Sequence, residues 1–400
     1  MAPVLRVFLS AQREVAQMDT LFANGHGRLE DRDNIFTAMR MAFAMIVVYA
    51  HALQMLLPWP VAGAWAQAVD FAGQHALNAF FVFSGYMILA SLRHSKSVLA
   101  YAINRAFRVF PLLIAVMGLV ICALGPVLSG MSPGAYLSQG AVWVFFAQVV
   151  SQADATAALP FSTLPIEANQ SANAPLWTVR YEIIAYAGMG LLALTGLLNR
   201  RWVLLAGLAG VTMVSALHGA QGYSGTMAEG VTAGIRFALG FLLGAALYDW
   251  RERISLSWAQ IGLAVLLALA LHPTPLGQAA DILATALIAM RVGFLKAEGS
   301  RVWRAARDVE DYSYGIYIIH WPVGLLIMHF VIAWEPGIGT TTMMALMTVF
   351  TLALAIPLRH GIEKPFQTLG RRVARGRALT RPRIRPEEAP AREARRARPI

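Results

Sequence analysis

The stretch IFTAMRMAFAMIVVYAHALQMLL, residues Ile35 to Leu57, decides the fold. It is apolar for long enough to cross a bilayer as a helix, which takes about 20 residues. Two side chains in it do not belong in hydrocarbon, Arg40 and His51. The step from one to the other turns a helix by about 1100°, some 20° past three full turns. Both therefore lie on one face, roughly 16 Å apart along the axis. Ionisable groups inside a membrane helix are costly and face protected interiors, so they are read first as functional. Two of them on one stripe predict a polar shaft along this helix.

Composition extends the reading to the whole chain. Of 400 residues, 57% are hydrophobic and 14% charged, and the mean hydropathy is +0.55. A soluble domain this apolar could not cover its surface with polar groups. The expected fold is all-α, a polytopic bundle of transmembrane helices. In a soluble chain the formal net charge of +11 would point to nucleic acid. Here it is assigned to the Lys and Arg excess of cytoplasmic loops, and no nucleic-acid partner is expected. The single cysteine, Cys122, excludes an intramolecular disulfide and a thiolate cage, and no metal is expected. The N-terminal MAPVLRVFLSAQREVAQ is too weakly apolar, and too soon interrupted by Arg13 and Glu14, for a secretory signal.

After Ile35–Leu57, apolar segments recur at Phe71–Leu92, Phe107–Leu128, Leu176–Leu198, Trp202–Leu217, Val231–Tyr248, Leu256–Leu271, Gln278–Val292, Tyr312–Ala333 and Thr340–Leu358. The length criterion makes about ten spans. The connections Arg93–Arg108, Asn199–Arg201, Asp249–Arg253 and Arg291–Asp311, with both termini, hold nearly every Lys and Arg outside the spans. The alternate connections, Pro58–Asp70, Ser129–Pro175, His218–Gly230, His272–Gly277 and Trp334–Gly339, hold none. That alternation places both termini in the cytoplasm. Counting Gly140–Val150 as a further crossing would invert every later loop. It is therefore expected as a re-entrant or interfacial helix in the long outer loop. Three segments follow: a cytoplasmic N-terminal segment 1–33, a membrane domain 34–366, and a basic, disordered cytoplasmic tail 367–400. The tail either contacts anionic membrane lipids or serves as a solvated topogenic tail.

Orientation turns sequence position into depth. Measured from the cytoplasmic face, Arg40 lies roughly 8 Å in and His51 roughly 24 Å in. Glu182, on a helix that starts outside, lies roughly 9 Å below the outer face, near the level of His51 in a core of about 30 Å. A base and its orienting carboxylate could sit so; each could equally bond a neighbouring helix and hold the bundle. Arg105 and Arg108 share a face at the cytoplasmic end of their helix. They suit a phosphate-bearing ligand or snorkel to the inner interface. Tyr314, Tyr317 and His320 form a polar stripe, with His320 roughly 12 Å in; the competing reading is an aromatic belt with a bundle hydrogen bond. Arg180 and Arg236, in outer halves, either line an acceptor cavity or snorkel outward. Asn78 is a weak polar contact of the same kind.

Taken together, these motifs resemble the membrane acyltransferase family 3, bacterial integral-membrane O-acyltransferases of polysaccharides, lipopolysaccharide and related glycans. NIFTAMRMAFAMIVVYAHA carries its Arg-x10-His first-helix signature. NAFFVFSGYMI is similar to its FFxxSG helix, NRAFRVFP to its Arg-x-x-Arg motif, APLWTVRYEIIAY to its LWTL…E helix, DYSYGIYIIHWP to its SYxxYLxH helix, and IEKPF to its terminal E-K-P. The similarity runs from Asn34 to Phe366. It implies transfer of an acyl group, commonly acetyl, from cytoplasmic acyl-CoA to a hydroxyl of a glycan or glycolipid beyond the bacterial inner membrane. On this resemblance the catalytic residues are His51, Glu182 and Arg40. Arg105 and Arg108 belong to the acyl-CoA donor end; the polar stripe adds Tyr314 and His320 to that group, and position in the membrane adds Arg180, Asn78 and Arg236 as the residues expected at the acceptor. Arg180 departs from the small residue or proline that the family often carries there. A secondary transporter or flippase, using His and Glu as a proton relay, is the competing function; the segments show no repeated halves to favour it.

Overall fold

The computed structural model describes residues 34–57, 62–164, 171–221, 226–254, 256–295, 301–332 and 339–377. The expected N-terminal segment 1–33 and residues 378–400 of the expected tail lie outside the described residues. Among the described residues all regular structure is helical and there is no strand. In chain order the helices are α1 (Phe36–Leu56), α2 (Ala64–His94), α3 (Val98–Leu119), α4 (Gly125–Ser129), α5 (Pro133–Leu137), α6 (Gly140–Val150), α7 (Trp177–Leu194) and α8 (Trp202–Gln221). They continue as α9 (Thr226–Asp249), α10 (Trp258–Leu271), α11 (Gly277–Gly293), α12 (Arg301–Asp308), α13 (Ser313–Ile327), α14 (Thr340–Leu358) and α15 (Lys364–Arg377).

The chain is a multi-pass membrane protein, and six helical stretches are long and apolar enough to cross: Phe36–Leu56, Ala64–His94, Val98–Ser129, Trp202–Ala220, Gly230–Asp249 and Thr340–Gly376. The other four expected spans form helices that are shorter or more polar: α7 has 18 residues, α10 has 14, α11 has 17 and α13 has 15. Length and composition thus support six crossings where about ten were expected. In the loop after α4, α6 is a helix of 11 residues that buries Val142, Phe145 and Val149; at about 1.5 Å per residue it is too short to cross.

Two contacts fix the bundle around α1. At its base Phe36 stacks on Phe83 at 4.6 Å and meets Phe294 edge-on at 4.8 Å. Near its other end Met55 lies against Gly324 of α13, where a Cβ would strike its sulfur. Along α13, Ile316, Ile318, Ile319, Val323 and Leu325 are all buried, as befits a helix that is apolar all round. Beside it, α2 and α9 cross backbone to backbone. A Cβ on Gly85 would collide with the Phe241 carbonyl, and one on Gly244 with the Val82 carbonyl. The end of the chain departs from expectation. Disorder was expected from 367 onward, but α15 continues to Arg377. Its buried side meets α3, with Gly370 against Phe107, and that packing supplies the order that a basic composition alone would not.

Candidate active site

α1 and α13 run parallel and are joined by polar contacts at two levels. At the lower, Arg40 Nη1 lies 2.8 Å from Asp311 Oδ2. At the upper, His51 Nδ1 lies 2.7 Å from His320 Nε2. The levels are about 16 Å apart counted along α1 and about 14 Å counted along α13, so the two helices share one register. The imidazoles lie edge to edge and nearly coplanar, with ring centroids 5.0 Å apart and planes 7° from parallel. Trp321 meets His51 edge-on at 5.3 Å. His320 is fully buried, and its Nδ1 lies 3.0 Å from the carbonyl of Ile316.

This pairing corrects the reading from depth. The partner of His51 is His320, and Glu182 instead accepts a hydrogen bond from the Tyr186 hydroxyl. The physical reason is axial offset. α13 begins level with Arg40, not with Ile35, which lifts His320 roughly 8 Å along the bundle. The same offset removes His320 from the expected donor group with Arg105 and Arg108.

Those two arginines also part company. Arg108 reaches Asp311 at 3.6 Å and Glu363 at 3.8 Å, and Glu363 is paired with Arg359 at 2.8 Å. Burial raises the cost of ionising Asp311, but Arg40, Arg108 and the Ser313 hydroxyl and N–H outweigh it and hold the carboxyl well below the usual carboxylate range. Arg105 makes one long hydrogen bond, 3.5 Å to Ser91 Oγ, and lies 5.9 Å over the Tyr186 ring. Its Nε is buried without a partner, and among the described residues it forms no ion pair. A buried guanidinium without a counter-charge is costly unless an anion completes it.

Two cavities meet here. One is lined by Ser91, His94, Arg105 and Tyr186 at the end of the bundle where α2 stops in Arg93 and His94. The other is lined by Phe80, Val109, Thr178, Tyr314 and Tyr317. Both are lined by Arg40, Ser84, Arg108 and Glu182, so the two adjoin as one passage from Arg105 to Tyr317. Tyr314 lines it while its hydroxyl donates to the Val109 carbonyl at 2.8 Å. Tyr317 donates to the Pro175 carbonyl at 2.9 Å and lies 2.5 Å from Thr178 Oγ1. Its ring centroid is 6.0 Å from that of His320. The segment before α7 is tied to α13 beside the histidines: Asn173 donates to the Ile318 carbonyl at 2.7 Å, and Trp321 to the Ser171 carbonyl at 3.1 Å.

The residues expected at the acceptor, Arg180, Asn78 and Arg236, lie outside the passage. Arg236 donates from Nε to Asn78 and from Nη1 to Gln74, each at 2.6 Å, which ties α9 to α2. Arg180 is exposed and donates to the Ala153 carbonyl at 3.2 Å. None of the three lines the passage. Asp311, Glu363 and Thr178 belong to this region and sequence reasoning gave them no role; Tyr317 was read only as part of a polar stripe and Ser84 only as a weak polar contact. The signal for the two acids was present: each lies within a motif already singled out, DYSYGIYIIHWP and IEKPF, and half-buried arginines require counter-charges. Among the described residues no group of three or more His, Cys, Asp or Glu side chains could hold a metal ion.

Comparison with known proteins agrees with this picture. The family model described as Acyltransferase domain, of acyltransferase family 3, matches residues 33–360. An O-acetyl transferase of Shigella phage Sf6 is 25% identical, over 84% of this chain and 97% of its own length. Nodulation protein 10 of Rhizobium leguminosarum bv. viciae is 27% identical, over 84% of this chain and 94% of its own. No solved structure matches the chain. With a family model spanning most of its length and its motifs gathered along one passage, the chain belongs to acyltransferase family 3 and is an O-acyltransferase.

Proposed function

We propose that the protein moves an acyl group, acetyl in the first instance, from acyl-CoA on the cytoplasmic side to a hydroxyl of a glycan or glycolipid on the far side of the bacterial inner membrane. The observation that carries this reading is the passage from Arg105 to Tyr317, whose ring lies 6.0 Å from that of His320, the partner of His51. A phosphate of the donor completes Arg105, whose Nε is buried and unpartnered and which no carboxylate reaches within ion-pair distance among the described residues. The thioester arm follows the passage past Arg40, Ser84 and Glu182. His51 acts as general base. It takes the proton of the acceptor hydroxyl as that oxygen attacks the thioester carbonyl. The C–O bond forms, the C–S bond breaks, and the proton passes from His51 to the departing thiolate. Burial limits competing hydrolysis.

Arg40, fixed by Asp311, and Glu182, fixed by Tyr186, shape the passage and balance its charge. Arg180, Asn78 and Arg236 support the acceptor side at a distance. The alternation of Lys- and Arg-rich with Lys- and Arg-free connections supports ten crossings with both termini cytoplasmic, a membrane domain from 34, and a basic tail after α15. The test is thiol release from acetyl-CoA by the purified full chain, given methyl glucoside as hydroxyl acceptor and no ion gradient. Transfer is expected, with loss of about 10²- to 10⁴-fold in kcat for His51→Ala. Unimpaired transfer by that variant would overturn the assignment.

A further inference from the structure

We infer that His320 is a positioning residue that fixes the tautomer of His51 and shares its proton, the place that a carboxylate takes in the more usual base-and-orienter pair. The inference rests on the reading of His51 as base and adds the device that makes it one.

The hydrogen bonds leave one arrangement for the neutral pair. A carbonyl oxygen can only accept, so the 3.0 Å contact between His320 Nδ1 and the Ile316 carbonyl places a proton on Nδ1. A neutral imidazole carries one N–H, so His320 Nε2 then presents a lone pair. The atom facing it at 2.7 Å is His51 Nδ1, which must donate. His51 Nε2 is left unprotonated, with its lone pair directed away from His320. The reverse assignment sets a lone pair of His320 Nδ1 against the Ile316 oxygen. The ordering of the two rings thus starts at a backbone carbonyl of a buried helix, which cannot rotate.

The consequence for the reaction follows from proton balance. As His51 Nε2 takes the acceptor proton, its Nδ1 proton shifts towards His320 Nε2. The charge spreads over two nearly coplanar rings joined edge to edge and is met at the far end by the Ile316 carbonyl. When the C–S bond breaks, the proton on Nε2 goes to the thiolate, Nδ1 keeps its own, and the pair returns to its starting form. Both nitrogens of His320 are engaged throughout and the residue is fully buried. It therefore neither binds the donor nor accepts the acyl group.

Two polar replacements of similar character separate positioning from packing. In His320→Asn the amide reaches the place of Nδ1 and leaves nothing opposite His51. In His320→Gln the amide oxygen reaches the place of Nε2 and can accept from His51. In thiol release from acetyl-CoA with methyl glucoside as acceptor, His320→Asn is expected to lower kcat by about 10²-fold or more, with KM for acetyl-CoA unchanged. His320→Gln should stay within about tenfold of the natural chain. In a His51→Ala background, His320→Asn should cost nothing further. Equal losses in Asn and Gln, a natural kcat in Asn, or additive losses with His51→Ala would each overturn the inference. Full activity in His51→Ala alone would instead remove the reading of His51 as base, so the two failures are distinct.

Discussion

At the scale of single residues, Arg105 and Arg108 separate by what neutralises them. Arg108 sits between Asp311 and Glu363, whereas Arg105 has a buried, unpartnered Nε and no carboxylate within ion-pair distance among the described residues. Their substitutions should therefore fail in different ways. Arg105→Ala removes a charge-assisted contact to the donor, of about 1.5–3 kcal/mol. KM for acetyl-CoA should rise roughly 10- to 100-fold while the melting temperature barely moves. Arg108→Ala takes from Asp311 and Glu363 one of the two arginines that each faces and should lower the melting temperature as well, by an amount set by about 1–3 kcal/mol. Matched behaviour of the two variants in kinetics and melting would contradict this division. The spacing of the pair put both on one helix face, as observed, but spacing carries no information about counter-charges from α13 and α14. The same limit explains His51. Its stripe with Arg40 was legible in α1 alone. Its partner was not, because depth ranks residues along the bundle axis only once the starting level of each helix is known.

At the scale of elements, the close crossing of α2 and α9 sets how the passage wall stands. Gly85 and Gly244 each face a backbone carbonyl of the other helix, so any side chain there must push the helices apart. Ser84, which lines both cavities, is the neighbour of Gly85 and would move with it. Gly85→Ala should cost about 1–3 kcal/mol and lower kcat through displacement of α2. Gly118→Ala on α3 meets open space and should be neutral or stabilising by up to about 1 kcal/mol. Melting of the two purified variants compares them directly, and equal effects would show that the crossing does not control the wall. The elements themselves were largely readable from apolar runs, since hydrocarbon demands a helix wherever the chain crosses. What could not be read was which elements would be short. α13 is buried among its neighbours, so its own length does not have to satisfy the bilayer criterion; α10 is short yet buries only Ile261 and Ala264. α15 likewise owes its order to α3, a contact invisible in its Arg-rich composition.

At the scale of the whole molecule, one chain of ion pairs links the passage to the end of the described fold. It runs from Arg40 through Asp311, Arg108 and Glu363 to Arg359, then to Glu310 and Lys364. It joins α1, α3, α13 and the junction of α14 with α15 in one network, so it titrates as part of the global fold. The sign follows from Asp311. Its carboxyl is held below the ordinary value by Arg40, Arg108 and Ser313 against the opposing effect of burial. The folded state thus binds its proton less readily than the unfolded chain, whose Asp titrates near about 3.9. The network's contribution is therefore complete above that value and is lost as the pH falls below about 4 towards the depressed one. Melting temperature should be flat from pH 7 to about pH 5 and fall steeply below about pH 4. Asp311→Asn removes the titrating group and leaves Arg40 and Arg108 unbalanced. At pH 7 it should melt lower than the natural chain, by an amount set by about 3 kcal/mol. Its acid limb should be shallower, so the two curves converge as the pH falls. Parallel curves, offset equally at every pH, would show that Asp311 contributes packing and not charge to the joint between the helices.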